Sequence, residues 1–344
     1  MKFSNDDLQD LLTGAAFLAT GGGGDLQAGR ELLAGIDRLE LVDLSDVDSD
    51  HVCATPYLVG SIAAPTLSEL RKKTSKVVIH HEKQLISGAF QVLQDNYAEK
   101  IDYIIPVELG GHNTAVALNL AAEIGLPILN GDLTGRSAPE IYQTGYYVGG
   151  ISPSPAGVYT AFGDEIYIEN ETDYEKFDTQ LRNMIINCHG FDVGVANFPV
   201  HIGQATPYII KKSLTSCMSI GALLTKGLVA EAIAKVDGKI IFQGTIRAEK
   251  YRNLYGFSFG SVTIDGSEGT LRLEYKNEIL AAFMDSMMIA HVPDLIGVVD
   301  VTGMPLQNTR YEQGTEVIVY TVPAPAIWQV GKGRQVFDLK HFGY

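Results

Sequence analysis

Two hydrophobic rhythms divide this chain, and the change from one to the other limits what it can fold into. Up to about residue 165, short apolar runs alternate with stretches of helical spacing. Residues 39–43, 52–59, 77–80, 101–107 and 126–129 read as strands. Between and before them, residues 5–19, a stretch starting at Asp25, and residues 82–97 and 111–124 read as helices. Ser4 with Asp7 has the spacing of a capping box, and Asp25 that of an N-cap. Strand–helix alternation with short joins dictates a largely parallel sheet covered by helices. Residues 101–107 are apolar nearly throughout, as a strand buried on both faces must be.

After residue 165 the rhythm changes. Residues 173–186 predict a helix, and residues 209–234 one or two more. Runs at 240–247, 256–264, 270–275, 278–283, 295–300 and 316–322 then predict strands, several set apart by turn pairs such as Asp237-Gly238, Asp265-Gly266 and Lys276-Asn277. The predicted fold class is α/β: a three-layer α/β/α domain with a largely parallel sheet over residues 1–165, then a β-rich, barrel-like domain with inserted helices over residues 166–344. The Pro- and Gly-containing stretch 149–163 is the expected boundary. A chain of 344 residues exceeds the ~250–300 at which single cores stop growing, which also favours two domains.

The formal net charge of −15 repels phosphate backbones and anionic lipids, so neither nucleic acid nor membrane is an expected partner. Cys53, Cys188 and Cys217 are too scattered for a metal or redox pair. With early acids at Asp6, Asp7 and Asp10 and no basic segment ahead of an apolar stretch, a cytoplasmic location is the expectation.

Three motifs carry candidate chemistry. The first is the tetraglycine Gly21, Gly22, Gly23 and Gly24, which follows a helix and precedes another. Four glycines imply a close approach to the backbone or an anion-binding nest, against the plainer reading of a flexible helix end. The second runs from Pro106 to Asn113, where an apolar strand meets an alanine-rich helix. It puts Glu108 at the carboxyl end of a strand, where ligands gather in open α/β sheets. Gly110 and Gly111 allow close approach there, and Asn113 either binds substrate or caps the helix. The third runs from Asn130 to Glu140 and holds Asp132 and Arg136. Asp132 is a candidate base or metal ligand, and Arg136 can grip a carboxylate through two hydrogen bonds. The alternative is a structural Asp132–Arg136 pair. Adjacent histidines His80 and His81 point to opposite faces of a strand, so at most one, taken as His81, faces a site.

Taken in order, these motifs resemble a known family. The Thr20–Gly24 loop, Glu108-Leu109-Gly110-Gly111, and Asp132 to Glu140 are followed by Val292-Pro293-Asp294, Val322-Pro323-Ala324-Pro325 with Trp328, and Phe342-Gly343-Tyr344. Together they resemble the S-methyl-thiohydantoin desulfurase-like family, whose members are associated with hydantoinase/oxoprolinase proteins. The resemblance spans the chain and implies chemistry on five-membered cyclic imides. It points to a hydrolase in which Glu108 or Asp132 activates water, the 21–24 backbone steadies negative charge and Arg136 orients the substrate. A divalent metal ion held by Asp132, Glu108 and His81 is the candidate cofactor. The alternative is a non-catalytic ligand-binding or accessory subunit. A small-molecule substrate is expected, with a second copy or a hydantoinase-like chain as the candidate protein partner.

Overall fold

The computed structural model describes residues 3–36, 38–60, 64–76 and 82–344. The strand expected at 77–80 and the metal ligand expected at His81 lie outside the described residues.

Helix Asn5–Leu18 opens on the expected capping box: Asp7 N–H donates to Ser4 Oγ at 3.1 Å, and Ser4 N–H to Asp7 Oδ2 at 2.8 Å. It buries Leu8, Leu11, Leu12 and Ala15. Helix Ser213–Leu224 lies against it so closely that a Cβ on Gly14 would stand 1.9 Å from Cys217 O, and one on Gly221 1.8 Å from Asp10 O.

The first sheet begins with four parallel strands, Leu41–Val42 (β1), Val52–Val59 (β2), Tyr103–Ile104 (β3) and Ile128–Leu129 (β4). Gly131–Asp132 (β5) follows β4 but leaves the sheet. Ala156–Tyr159 (β6), Glu165–Ile168 (β7) and Val193–His201 (β8) extend it antiparallel, and Ile210–Lys211 (β9) pairs with β5. The order is β1-β4-β3-β2-β8-β6-β7. Every residue of β2 is buried, so both faces of the sheet are covered there. Helix Glu82–Asn96 lies on β6 and β8, where Gly157 and Gly194 face the carbonyls of Ala89 and Leu85. The run 101–107 is buried as expected at Ile101, Ile104, Ile105 and Val107, but its regular pairing is short, prolonged by Ile105 N–H to Ala54 O at 3.0 Å. No strand was expected at 193–201. Gly194, Asn197 and Pro199 interrupt the apolar pattern there.

The second sheet is antiparallel throughout and forms a half-barrel. Its strands are Lys239–Leu254 (β10), Phe257–Gly266 (β11), Gly269–Lys276 (β12), Glu278–Met284 (β13), Met287–His291 (β14), Leu295–Asp300 (β15) and Glu316–Val322 (β16), in the order β14-β13-β12-β11-β10-β16-β15. Alternate residues of β12 are buried, the period-2 signature of a sheet with one face on a core. Val262, Ile264, Leu271, Leu273 and Val319 fill that core. Among the described residues, no helix is long and apolar enough to cross a membrane.

Candidate functional site

Glu108 sits where the chain leaves the sheet beyond β3 and turns toward helix Asn113–Ile124. Its carboxylate is buried and bonded at both oxygens. Oε1 accepts from Asn113 Nδ2 at 2.8 Å, and Oε2 from Ser137 Oγ at 3.0 Å and Ala138 N–H at 2.9 Å. Burial pushes its pKa up. The three hydrogen bonds and the nearby Arg136 charge oppose that rise. Asn113 does not cap its helix. Gly23 O takes the His112 and Asn113 N–H groups at 3.0 and 3.1 Å, which frees the Asn113 amide to accept from Leu58 N–H at 3.0 Å and donate to Glu108.

A second carboxylate arrives from the other sheet. Glu278, the first residue of β13, brings Oε1 to 2.7 Å from the same Ser137 Oγ. A hydroxyl carries one proton and cannot donate to two carboxylates at once. One of the two acids must therefore be protonated and donate to Oγ. Glu278 is that acid. Its Oε2 is buried with no hydrogen-bond partner among the described residues, whereas Glu108 has three donors. Burial first, then repulsion from Glu108, raises Glu278 to about 8. Repulsion between the two carboxyls thus favours one proton shared by the pair, while the nearby Arg136 guanidinium favours the ionised form of each.

The glycine loop is a seam of close contacts. A Cβ on Gly21 would lie 2.5 Å from the Asn308 side chain, and one on Gly23 2.5 Å from Gly110 Cα. Gly111 faces Leu26 equally closely, at 2.7 Å. The carbonyls of Thr20 and Gly21 accept from Ile279 and Asn308 N–H, tying the loop to the second sheet.

Asp132 and Arg136 do not pair. Asp132 Oδ2 accepts from Thr134 and Gly135 N–H at 2.8 and 2.6 Å and shapes the turn. Burial raises this acid to about 7, with Glu108 adding repulsion. Arg136 is fully buried and spends its guanidinium on carbonyls: Nε on Ser137 O, Nη1 on those of Pro293 and Asp294, with Nη2 on Thr20 Oγ1. Burial lowers it to about 10, while Glu278, Asp294 and Glu108 favour its charge. Among the described residues no three of His, Cys, Asp and Glu converge on a common metal position. Both Glu108 oxygens already hold donors, and His81, the third expected ligand, lies outside the described residues.

A cavity of about 110 Å³ opens beside the Glu108–Ser137–Glu278 bridge. For scale, an engineered cavity of about 150 Å³ takes up benzene. Of the expected site residues, Gly23, Gly24, Glu108 and Asn113 line it; Gly21, Gly22, Gly110, Gly111, Asp132 and Arg136 do not. Glu278 and Arg182 line it too, unforeseen in sequence because each reaches the wall only through tertiary packing. Glu140, also on the wall, holds Lys276 Nζ and His341 Nε2, the latter at 2.8 Å. Burial alone would raise its pKa, yet these partners hold it down to about 2.

The family comparisons cover the chain end to end. The S-Me-THD-like N-terminal domain model matches residues 6–170, and the S-Me-THD-like C-terminal domain model residues 171–344. The fold is similar to the crystal structure of a protein from Chromobacterium violaceum, with a TM-score of 0.81 and 22% identity, over 100% of this chain and 98% of that one. No curated protein matches the chain. Motif order and matched models agree: the chain belongs to the S-methyl-thiohydantoin desulfurase-like (S-Me-THD-like) family.

Proposed function

We propose that the chain hydrolyses the C–S bond of an S-methyl-thiohydantoin or closely related five-membered cyclic imide, with Glu108 as general base and Glu278 as general acid. The observation that carries this reading is the shared Ser137 hydroxyl, which favours one ionised and one protonated carboxyl on the wall of a partly open cavity. Glu108 takes a proton from water as its oxygen bonds to the ring carbon bearing sulfur. The resulting adduct collapses with loss of the C–S bond. Glu278 protonates the departing methanethiolate, the proton left on the added oxygen settles on the ring nitrogen, and the proton held by Glu108 returns to Glu278 through the Ser137 hydroxyl, so water supplies the oxygen of the hydantoin and, over the cycle, both protons. Asn113 fixes the Glu108 rotamer. The Gly23–Gly24 backbone is the candidate donor surface for charge developing on the ring. Asp132 and Arg136 support this arrangement from behind the cavity wall.

The test is release of methanethiol by the purified chain from S-methyl-thiohydantoins, with the hydantoin product identified by mass. Glu108→Gln and Glu278→Gln should each lower turnover by about 100-fold or more with melting temperatures near that of the parent. No release by the folded wild-type chain would end the reading. Release only after a hydantoinase-like chain is added would turn it into an accessory role.

A further inference from the structure

We infer that a second recess, apart from the cavity beside Glu108, binds a planar organic anion, with the ring of the ligand on Tyr251 and Tyr255 and its charged group against Lys73 and Arg310. The inference does not rest on the desulfurase reading. The recess encloses about 540 Å³ between helix Leu67–Lys73 and the turn that joins β10 to β11. Its lining combines backbone strain, aromatic faces and cations.

Among the described residues, ten non-glycine residues have positive φ, and three of them, His189 at 57°, Tyr255 at 54° and Thr309 at 72°, line this one recess. Strained backbone gathers where a ligand is gripped. Leu254 pairs with Phe257, so Tyr255 and Gly256 form a two-residue turn in which both are left-handed. Asn, Asp or Gly takes the first place of such a turn at least cost. Tyrosine stands there instead and is 71% exposed, so burial within this chain does not offset the cost. A β-branched residue at positive φ is rarer still. Thr309 is held there by Glu249, whose carboxylate accepts from Thr309 and Tyr311 N–H at 2.6 and 3.1 Å, and Arg310 stands between them at the rim.

The charge runs against that of the chain as a whole. In a protein of net charge −15, Arg71, Lys72 and Lys73 end the helix on this recess, and Lys250 and Arg252 flank Tyr251 on β10. Glu69 lies on the same wall, but its Oε2 is turned to the helix start, where it accepts from Thr66 N–H and Oγ1 at 2.7 and 3.0 Å. Asp25 binds one nitrogen of Arg310, and a guanidinium has five N–H donors. A concave, locally cationic surface concentrates anions, and tyrosine faces hold a flat ring.

Calorimetry with 1-naphthyl phosphate at pH 7 should show one saturable site with a Kd below ~1 mM. Inorganic phosphate has the charge without the ring, and 1-naphthol the ring without the charge. Each should bind at least ~10-fold more weakly. Lys73→Glu should weaken the naphthyl phosphate by ~10-fold. Tyr255→Asn installs the preferred Asn-Gly pair, so the urea midpoint should rise while affinity falls by ~10-fold. Glu108→Gln, in the other cavity, should leave affinity unchanged. No binding, equal binding of either fragment, or unchanged affinity in Lys73→Glu or Tyr255→Asn would overturn the inference. So would a midpoint that does not rise in Tyr255→Asn, or affinity lost in Glu108→Gln.

Discussion

Glu278 Oε1 occupies the space where a side chain on Gly22 would begin: a Cβ placed there would lie 1.8 Å from that oxygen. The glycine loop of the first sheet's domain is thus cut to receive one carboxylate from the half-barrel. That contact fixes where the proposed acid stands relative to Glu108.

Gly22→Ala should therefore displace Glu278. Gly22, unlike its three glycine neighbours, does not have a positive φ, so alanine meets no backbone strain and the clash acts alone. Overpacking of this kind costs ~1–3 kcal/mol. Turnover should drop by ~100-fold, because a misplaced acid loses its alignment with the leaving group. Adding Glu278→Ala to Gly22→Ala should restore the lost stability without restoring activity. Denaturant melts of the four chains in this cycle measure the coupling, and additive effects would refute the contact.

Glu278 also predicts the pH dependence. Its pKa rises on folding from an ordinary 4.5 to about 8. Between those values the folded chain keeps a proton that the unfolded chain has lost. Its stabilising contribution is thus complete below pH 4.5 and disappears as pH rises through about 8. Asp132, raised from 3.8 to about 7, acts with the same sign over its own window. Urea melts from pH 4 to 9 should show a decline that Glu278→Gln and Asp132→Asn each make shallower. In the same range kcat should fall as pH rises through about 8, and Glu278→Gln should lack that limb.

Arg136→Met separates a buried clamp from a substrate ligand. The substitution leaves the Pro293 and Asp294 carbonyls without their donor and Glu108, Glu278 and Asp294 without the nearby positive charge. Breaking a buried charge arrangement by deleting one partner costs ~3–5 kcal/mol. Equilibrium unfolding should show a loss of that order. A fully stable variant with raised KM alone would assign Arg136 to the substrate.

Cys53, Cys188 and Cys217 are all buried, and burial pushes each thiol's pKa up, Cys53 to about 11. A thiol-reactive chromophore should label none of the three in the folded chain within minutes and all three in denaturant. Rapid labelling of native protein would contradict the burial.

Part of this site was legible from residue order alone. A carboxylate at the end of an apolar run, followed by two glycines and a helix start, marks Glu108, because strand ends meet at one edge of a parallel sheet. Gly23 and Gly24 showed themselves by the local cost of four consecutive glycines. Glu278 could not be found this way. It opens an ordinary-looking strand 170 residues beyond Glu108, and only tertiary folding brings it to Ser137. Arg136 shows the opposite limit. A guanidinium flanked by acids reads the same in sequence whether its acceptors are a ligand's oxygens or, as here, the chain's own carbonyls. Strand β8 was hidden because Asn197 and Pro199 break its apolar pattern, although Asn197 is fully buried and donates to Pro153 O at 3.1 Å.

The position of β8 decides how this chain can be divided. Its residues fall within the C-terminal family match, yet it lies between β2 and β6 in the first sheet. A truncation at residue 170 would strip β2 and β6 of their shared neighbour and expose two raw edges able to pair with other chains. The remaining fragment would carry a nine-residue strand with no sheet to join. The halves are thus interlocked like a dovetail joint: each can diverge in sequence, but neither can be exchanged or expressed as a free-standing module.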